Sequence, residues 1–131
     1  MTTELKILLI DDEIDFVETT GKRLIRRGYL AKTALTCAAG LEIIASGWPE
    51  VVVLDVMLPD RDGMDCLREI KEKWPTLPVI LLTGHASMET GLHGLECGAS
   101  DYCLKPIDLE TLVEKIAIAH RESRAPGPLS S

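Results

Sequence analysis

Three stretches constrain the fold more than anything else in the chain. LKILLI (residues 5–10), VVVLD (51–55) and VILLT (79–83) are near-continuous aliphatic runs of strand length. A strand with apolar side chains on both faces must be covered on both, as happens in a parallel sheet held between two layers of helices. DYCLK (101–105) reads as a further strand. YLAKTA (29–34) alternates and so reads as an edge strand. Apolar residues make up 46% of the 131 residues and aromatics only 4%, so the core between these layers must be aliphatic.

Helical stripes fill the intervals. Ile14, Val17, Leu24 and Ile25 recur at helical spacing. So do Leu41, Ile44 and Ala45, after Thr36 as a cap. Met64, Leu67, Ile70 and Trp74 form a third stripe, stopped by Pro75. Leu109, Leu112, Val113 and Ile116 form the last, with Asp108 as N-cap. A weaker helical segment spans 87–96. The order is a strand followed by a helix, five times over, which predicts a single α/β domain with a parallel sheet and helices on both faces.

The aliphatic runs end in polar residues. In an open parallel sheet, ligands bind at the carboxyl ends of the strands, where strand order reverses. Asp11 and Asp12 close the first strand, Asp55 the third, Thr83 the fourth and Lys105 the fifth. Each has a plain structural alternative. Asp-Asp-Glu before a helix complements the helix dipole, and an Asp, a Thr-Gly or a Lys-Pro can simply end a strand. Together they fall on one rim. Three carboxylates gathered there repel one another, and a divalent cation relieves that repulsion. Mg2+ prefers oxygen ligands, keeps several waters and needs only one or two direct carboxylates.

The composition narrows the partners. A net charge of −7 argues against gripping a nucleic-acid backbone directly. No apolar run approaches the roughly 18 residues of a membrane span, and the opening MTTELK lacks the layout of a secretory signal. A cytoplasmic location is expected. Cys37, Cys66, Cys97 and Cys103 form no C-x-x-C pair, so the expectation is reduced thiols acting as small hydrophobes.

The segments IDDE, VVVLDVMLPDRDGMD, VILLTGHAS and GASDYCLKPID, in this order and spacing, resemble the receiver domain of bacterial two-component response regulators, the family that includes the chemotaxis response regulator. The resemblance covers about residues 4–121. It implies a doubly wound (βα)5 flavodoxin-like three-layer sandwich with a five-stranded parallel sheet in the order 2-1-3-4-5. It also implies a function, in which Asp55 accepts a phosphoryl group from a phosphohistidine on a sensor histidine kinase. Asp12 would bind Mg2+ directly, Asp11 through water, and the backbone carbonyl of Met57 would be a further ligand beside Asp55. Lys105 would contact the phosphoryl oxygens, and Thr83 would hydrogen-bond to the group. Thr83 and the aromatic Tyr102 would form the switch that remodels the face made by the fourth helix, fifth strand and fifth helix. The family also implies a cis Lys105–Pro106 bond in many members. Met57 and His85 sit at positions that tune hydrolysis of the acyl phosphate in this family. Met57 brings no base, and His85 is a solvated loop residue or a water-orienting one.

The remaining expectations are finer. Residues 1–122 form the receiver domain and 123–131 a flexible tail or the start of a linker, and the APGP sequence there favours a linker to an effector domain. The chain catalyses only its own phosphotransfer and dephosphorylation. Homodimerisation stays open, though the last helix is not rich in Arg. Gly63 supplies a cheap positive φ in the LPDRDG loop. Gly91 and Gly94 either weaken the fourth helix or allow it to pack closely on the sheet. Trp48 and Trp74 lie at the end of the sheet away from the acids. His93 and His120 are surface residues without a role. Three other functions are weighed. An aspartate-nucleophile phosphatase needs a second acid two residues past the nucleophile, where Met57 stands. A flavin carrier needs a Ser, Thr and Gly-rich first loop, which is missing. A phosphate-independent receiver-like binding module usually lacks one of the key residues, all of which are present here.

Overall fold

The aliphatic runs become the strands they predict. In this computed structural model, which describes residues 4–84 and 88–124, ten elements follow in strict alternation. They are β1 (Lys6–Ile10), α1 (Ile14–Arg26), β2 (Leu30–Ala34), α2 (Cys37–Ala45), β3 (Val51–Asp55), α3 (Gly63–Lys73), β4 (Val79–Thr83), α4 (Met88–Glu96), β5 (Asp101–Leu104) and α5 (Leu109–Arg124). All strand pairs are parallel, in the order β2-β1-β3-β4-β5. The alternating strand β2 is an edge, as its sequence predicts. His85 and the tail from residue 125 lie outside the described residues, and α5 continues through Ser123 and Arg124.

The pleat divides the core into two. Ile7, Leu9, Val51, Val53, Ile80 and Leu82 face α1 and α5 and meet Val17, Leu24, Leu112 and Ile116. Their neighbours Leu8, Ile10, Val52, Leu54, Val79 and Leu81 face the other way and meet Ile44, Leu67 and Ile70 of α2 and α3. Full burial of one Leu or Ile side chain contributes roughly 1.5–3 kcal/mol. The central strands, buried along their whole length, therefore carry much of the stability.

The helix ends follow the predicted caps. The Thr36 hydroxyl accepts the Ala39 amide at 3.0 Å, and the Asp108 carboxylate accepts the Thr111 amide at 3.1 Å. The predicted stripes need correction at their margins. Ile14, Ile25 and Ala45 are exposed, because the apolar arc of each helix is wider than the strip of sheet it covers.

Three glycines are explained by close approach. A Cβ at Gly94 would collide with Leu81 Cδ1, and one at Gly91 would lie 2.6 Å from the Tyr102 ring. Close packing thus accounts for both glycines of α4. Gly63 does not adopt the positive φ expected of it. It opens α3 behind the Asp62 cap, which accepts the Met64 amide at 2.8 Å. A Cβ there would run into the Val56 backbone and the Asp55 carbonyl.

The expectation of four reduced thiols is overturned for two of them. Cys37 and Cys66 are joined by a disulfide with Cα atoms 6.2 Å apart, while Cys97 and Cys103 are free. Local spacing rules do not detect this pair, which lies 29 residues apart and meets only when α2 packs beside α3.

Candidate functional site

Backbone hydrogen bonds of the sheet run on past the strand ends and fix the rim residues. The Asp11 amide donates to Ala34 O (3.0 Å), the Val56 amide to Leu82 O (3.1 Å) and the Lys105 amide to Thr83 O (2.8 Å). In register, Ile10 pairs with Leu54, so Asp11 and Asp55 leave the sheet side by side. Both continue the parity of Leu9 and Val53, which face α1 and α5. That is the side on which Lys105 arrives after β5. The Lys105–Pro106 bond is cis, as the resemblance implies.

The side chains form one charged cluster. Oxygen atoms of Asp11, Asp12 and Asp55 all lie within 4.8 Å of one another, an arrangement that could hold a metal ion. Asp11 and Asp55 are buried and Asp12 is exposed. The Lys105 ammonium lies 2.6 Å from Asp11 Oδ2, 2.6 Å from Glu13 Oε1 and 3.7 Å from Asp55 Oδ2. It also sits 4.6 Å from the centre of the Phe16 ring. Asp11 Oδ1 accepts the Glu13 amide at 3.0 Å. Asp11 Oδ2 is buried, and although Lys105 balances its charge, no directed hydrogen bond reaches it among the described residues. The N-cap residue of α1 is Glu13, with no side-chain cap bond. Capping of α1 therefore does not account for Asp12.

The electrostatics follow from this geometry. Burial, followed by the neighbouring charge of Asp11, pushes the Asp55 carboxyl up from 3.8 to about 6. Lys105 and the Met57 amide oppose that rise without cancelling it. Burial pulls the Lys105 ammonium down, but Asp11, Glu13 and Asp55 outweigh it and hold its pKa above the ordinary value. The rim holds more negative charge than it can neutralise alone. Three clustered carboxylates, with one cation from the chain beside them, fit a hard divalent cation.

Thr83 is buried at the end of β4. It pairs in register with Leu104, and Leu81 pairs with Tyr102. By the pleat, Thr83 and Tyr102 share one face on neighbouring strands, one repeat apart. Tyr102 packs among the residues of the α2–α3–α4 side. Lys115 donates to its carbonyl at 2.7 Å and lies 5.5 Å from its ring. Met57 projects its side chain to solvent on the loop after β3 and bridges to Asp62.

Two participants escape a sequence reading. Glu13 is the second partner of Lys105. Asp60 anchors the β3–α3 loop by accepting the amides of Cys37 (2.9 Å) and Ala38 (3.0 Å) at the start of α2. Burial tends to raise its pKa, but these two amides prevail and lower it. The acids of LPDRDG signal a cap, but not which helix receives it.

Comparison with known proteins agrees with this geometry. The family model for the response regulator receiver domain matches residues 7–117. The chain belongs to this family. It is a receiver domain, and so a phosphoacceptor signalling domain of two-component systems. It is 35% identical over 125 residues to the response regulator MprA of Mycobacterium sp. (strain KMS), covering 95% of this chain and 54% of that one. It is also 35% identical to the regulatory protein AtoC of Escherichia coli (strain K12), over 86% of this chain and 24% of that one. Among solved structures, a CheY-like receiver domain protein from Methanospirillum hungatei JF-1 superposes with a TM-score of 0.87. That pair shares 30% identity over 95% of this chain and 100% of the other. The receiver domain spans about half the length of MprA, and no helix among its described residues is long and apolar enough to cross a membrane.

Proposed function

We propose that Asp55 accepts a phosphoryl group from a phosphohistidine of a sensor histidine kinase, in a reaction that depends on Mg2+. The observation that carries this reading is the meeting of Asp11, Asp12 and Asp55 within 4.8 Å at adjacent strand ends, beside Lys105. An Asp55 oxygen attacks phosphorus as the bond to the histidine nitrogen breaks, leaving an acyl phosphate. Asp11, Asp12 and Asp55, with the backbone carbonyl of Met57, would hold the cation. When bound, Mg2+ supplies the positive charge that keeps Asp55 ionised and neutralises charge on the transferring group. Lys105, close to Asp55 already, is positioned to contact a phosphoryl oxygen. The Thr83 hydroxyl and the amides near Gly84 supply donors. Among the described residues, a Cβ at Gly84 would meet nothing within 4 Å.

The output follows from Thr83 and Tyr102. Thr83 draws toward the added group, Tyr102 turns inward, and the α4–β5–α5 face changes. That face exposes Leu92, Leu95, Leu104 and Ile118, an apolar surface suited to an effector domain, an effector protein or a second copy. Residues 1–122 act as the receiver and 123–131, which begins inside the last turn of α5, as a tail or linker start, in a cytoplasmic protein whose domain contacts neither nucleic acid nor membrane directly. The domain turns over no separate substrate and acts only on its own phosphoryl group.

Acetyl phosphate with Mg2+ tests the reading. Intact mass should rise by one phosphoryl group, and Asp55→Asn or removal of Mg2+ should abolish the rise. Equal labelling of the Asn variant would remove Asp55 from the acceptor role.

A further inference from the structure

The Cys37–Cys66 disulfide lies outside the phosphoacceptor chemistry but touches its architecture. Cys37 is the first residue of α2 and Cys66 lies in the first turn of α3. Both are fully buried, and their Cα separation of 6.2 Å falls within the range a disulfide spans without backbone movement. The segment between β3 and α3 is thereby fixed from two directions. Asp60 holds the amides of Cys37 and Ala38. The disulfide ties the same end of α2 to α3, directly beyond Asp62 and Gly63. Gly63 in turn rests on the backbone of Asp55 and Val56, and its amide donates to Val56 O at 2.9 Å. α2 also has little room to move on its inner side, because a Cβ at Gly40 would strike the Ile10 side chain.

We propose that Cys37 and Cys66 form a reversible thiol–disulfide modification site whose closure clamps the β3–α3 loop. The partners are a small-molecule disulfide as oxidant and a dithiol as reductant. In reduction, a thiolate of the dithiol attacks one sulfur and the Cys37–Cys66 bond breaks. The released protein thiolate takes a proton. The second reagent sulfur then closes on the mixed disulfide and frees the other cysteine. Two electrons and two protons pass to the protein, and the reagent leaves as a cyclic disulfide. Oxidation by a small-molecule disulfide runs the same exchange in reverse. Because both sulfurs are buried, exchange passes through a local opening of the α2 and α3 ends rather than through global unfolding. Reduced, the two thiols remain in place as small hydrophobes. The fold persists while the loop loses its covalent tie to α2 and keeps its non-covalent contacts, among them those of Asp60, Arg61 and Gly63.

The other cysteines do not compete strongly. Cys103 is buried in β5, and burial raises its thiol pKa. Cys97 is half-buried just past the end of α4, with its sulfur 3.9 Å from His93 Nε2. It is better replaced than left to react.

The test uses the full chain carrying Cys97→Ser and Cys103→Ala, so that only the pair remains. After exposure to oxidised glutathione, maleimide labelling in denaturant should find no free thiol. After dithiothreitol treatment of the native protein it should find two, and oxidised glutathione should restore the first state in a monomer. Amide exchange should then be several-fold faster in the reduced protein at Cys37, Ala38, Gly63 and Met64, and unchanged in β1 and β4. Cys37→Ala with Cys66→Ala should match the reduced protein and ignore reductant, and its intact β1 and β4 protection would show that the fold is retained. Three results would overturn the proposal. They are glutathione adducts or linked dimers in place of the internal bond, resistance to dithiothreitol until the protein is denatured, and identical exchange in both redox states. None of these readouts uses phosphorylation, so failure here and failure of the phosphoacceptor reading are distinguishable.

Discussion

The amino-terminal end of the sheet, where Lys6, Glu50 and Pro78 share backbone hydrogen bonds, and the carboxyl-terminal end, where Asp11, Asp55 and Lys105 meet, are made from the same strands and treat polar groups in opposite ways. At the first, the Glu50 amide donates to Lys6 O (2.8 Å), the Lys6 amide to Glu50 Oε1 (3.1 Å) and the Val52 amide to Pro78 O (3.0 Å). Trp48 and Trp74 are half-buried at this end, with Lys32 over the Trp48 ring at 4.6 Å. At the second, carboxylates crowd together, one of them with a pKa pushed up to about 6, and a buried oxygen lacks a directed hydrogen bond. The first end is finished as a structure. The second keeps unfavourable charge that a proton on Asp55 or a bound cation would relieve, as the proposed phosphoacceptor site requires.

Substitutions at the two ends should therefore differ in size and sign. The largest effect is expected from Lys105→Met. It leaves Asp11 and Asp55 without their cation, and stability in urea without divalent metal should fall by about 2–4 kcal/mol. Adding Asp55→Asn should restore part of the loss, and strict additivity of the two changes would show that the charges do not interact. Next comes Asp55→Asn alone, which should stabilise the metal-free protein. The folded pKa lies above the ordinary 3.8, so the folded state favours the protonated form. The stability Asp55 contributes is complete below 3.8 and is lost as pH rises through about 6. The Asn variant should thus match the parent near pH 4 and exceed it near pH 7–8, by roughly 3 kcal/mol at most. An unchanged difference across that range, read by thermal or urea unfolding, would contradict the buried repulsion.

Smaller effects belong to the other end. Mg2+ should change intrinsic tryptophan fluorescence little, since both indoles lie away from the acids. Strong quenching would place an indole at the rim. Smallest of all, Lys73→Ala removes an exposed pair with Glu69 at 2.6 Å and should leave the urea midpoint unchanged within error.

The sheet and its rim were legible in the sequence because both are written in local patterns. Val51–Leu54 and Val79–Leu82 are aliphatic on both faces, and the pleat fixes which residue follows at the exit. Thr36 and Asp108 announced their helices by the same local logic. What stayed hidden depends on how helices lie against one another. Cys37 and Cys66 meet because α2 and α3 are neighbours on one face, and Asp60 reaches the start of α2 rather than its own helix. Gly63 looked like a turn residue, yet it is there because β3's backbone passes too close for a side chain. Ile14 and Ile25 fit a core stripe by spacing but fall outside the width of sheet that α1 covers.

Lys105 arrives late in the chain. Its ammonium is the cation paired with Asp11 and Asp55 among the described residues, and it follows the last strand. As the polypeptide leaves the ribosome, β1, β3 and β4 can assemble with their acids already side by side and nothing to offset them. In that order of assembly the aliphatic side chains would draw the centre of the sheet together while its charged margin stayed unsettled until β5 docked. A nascent chain halted before residue 105 should depend on added divalent ions far more than the finished domain does.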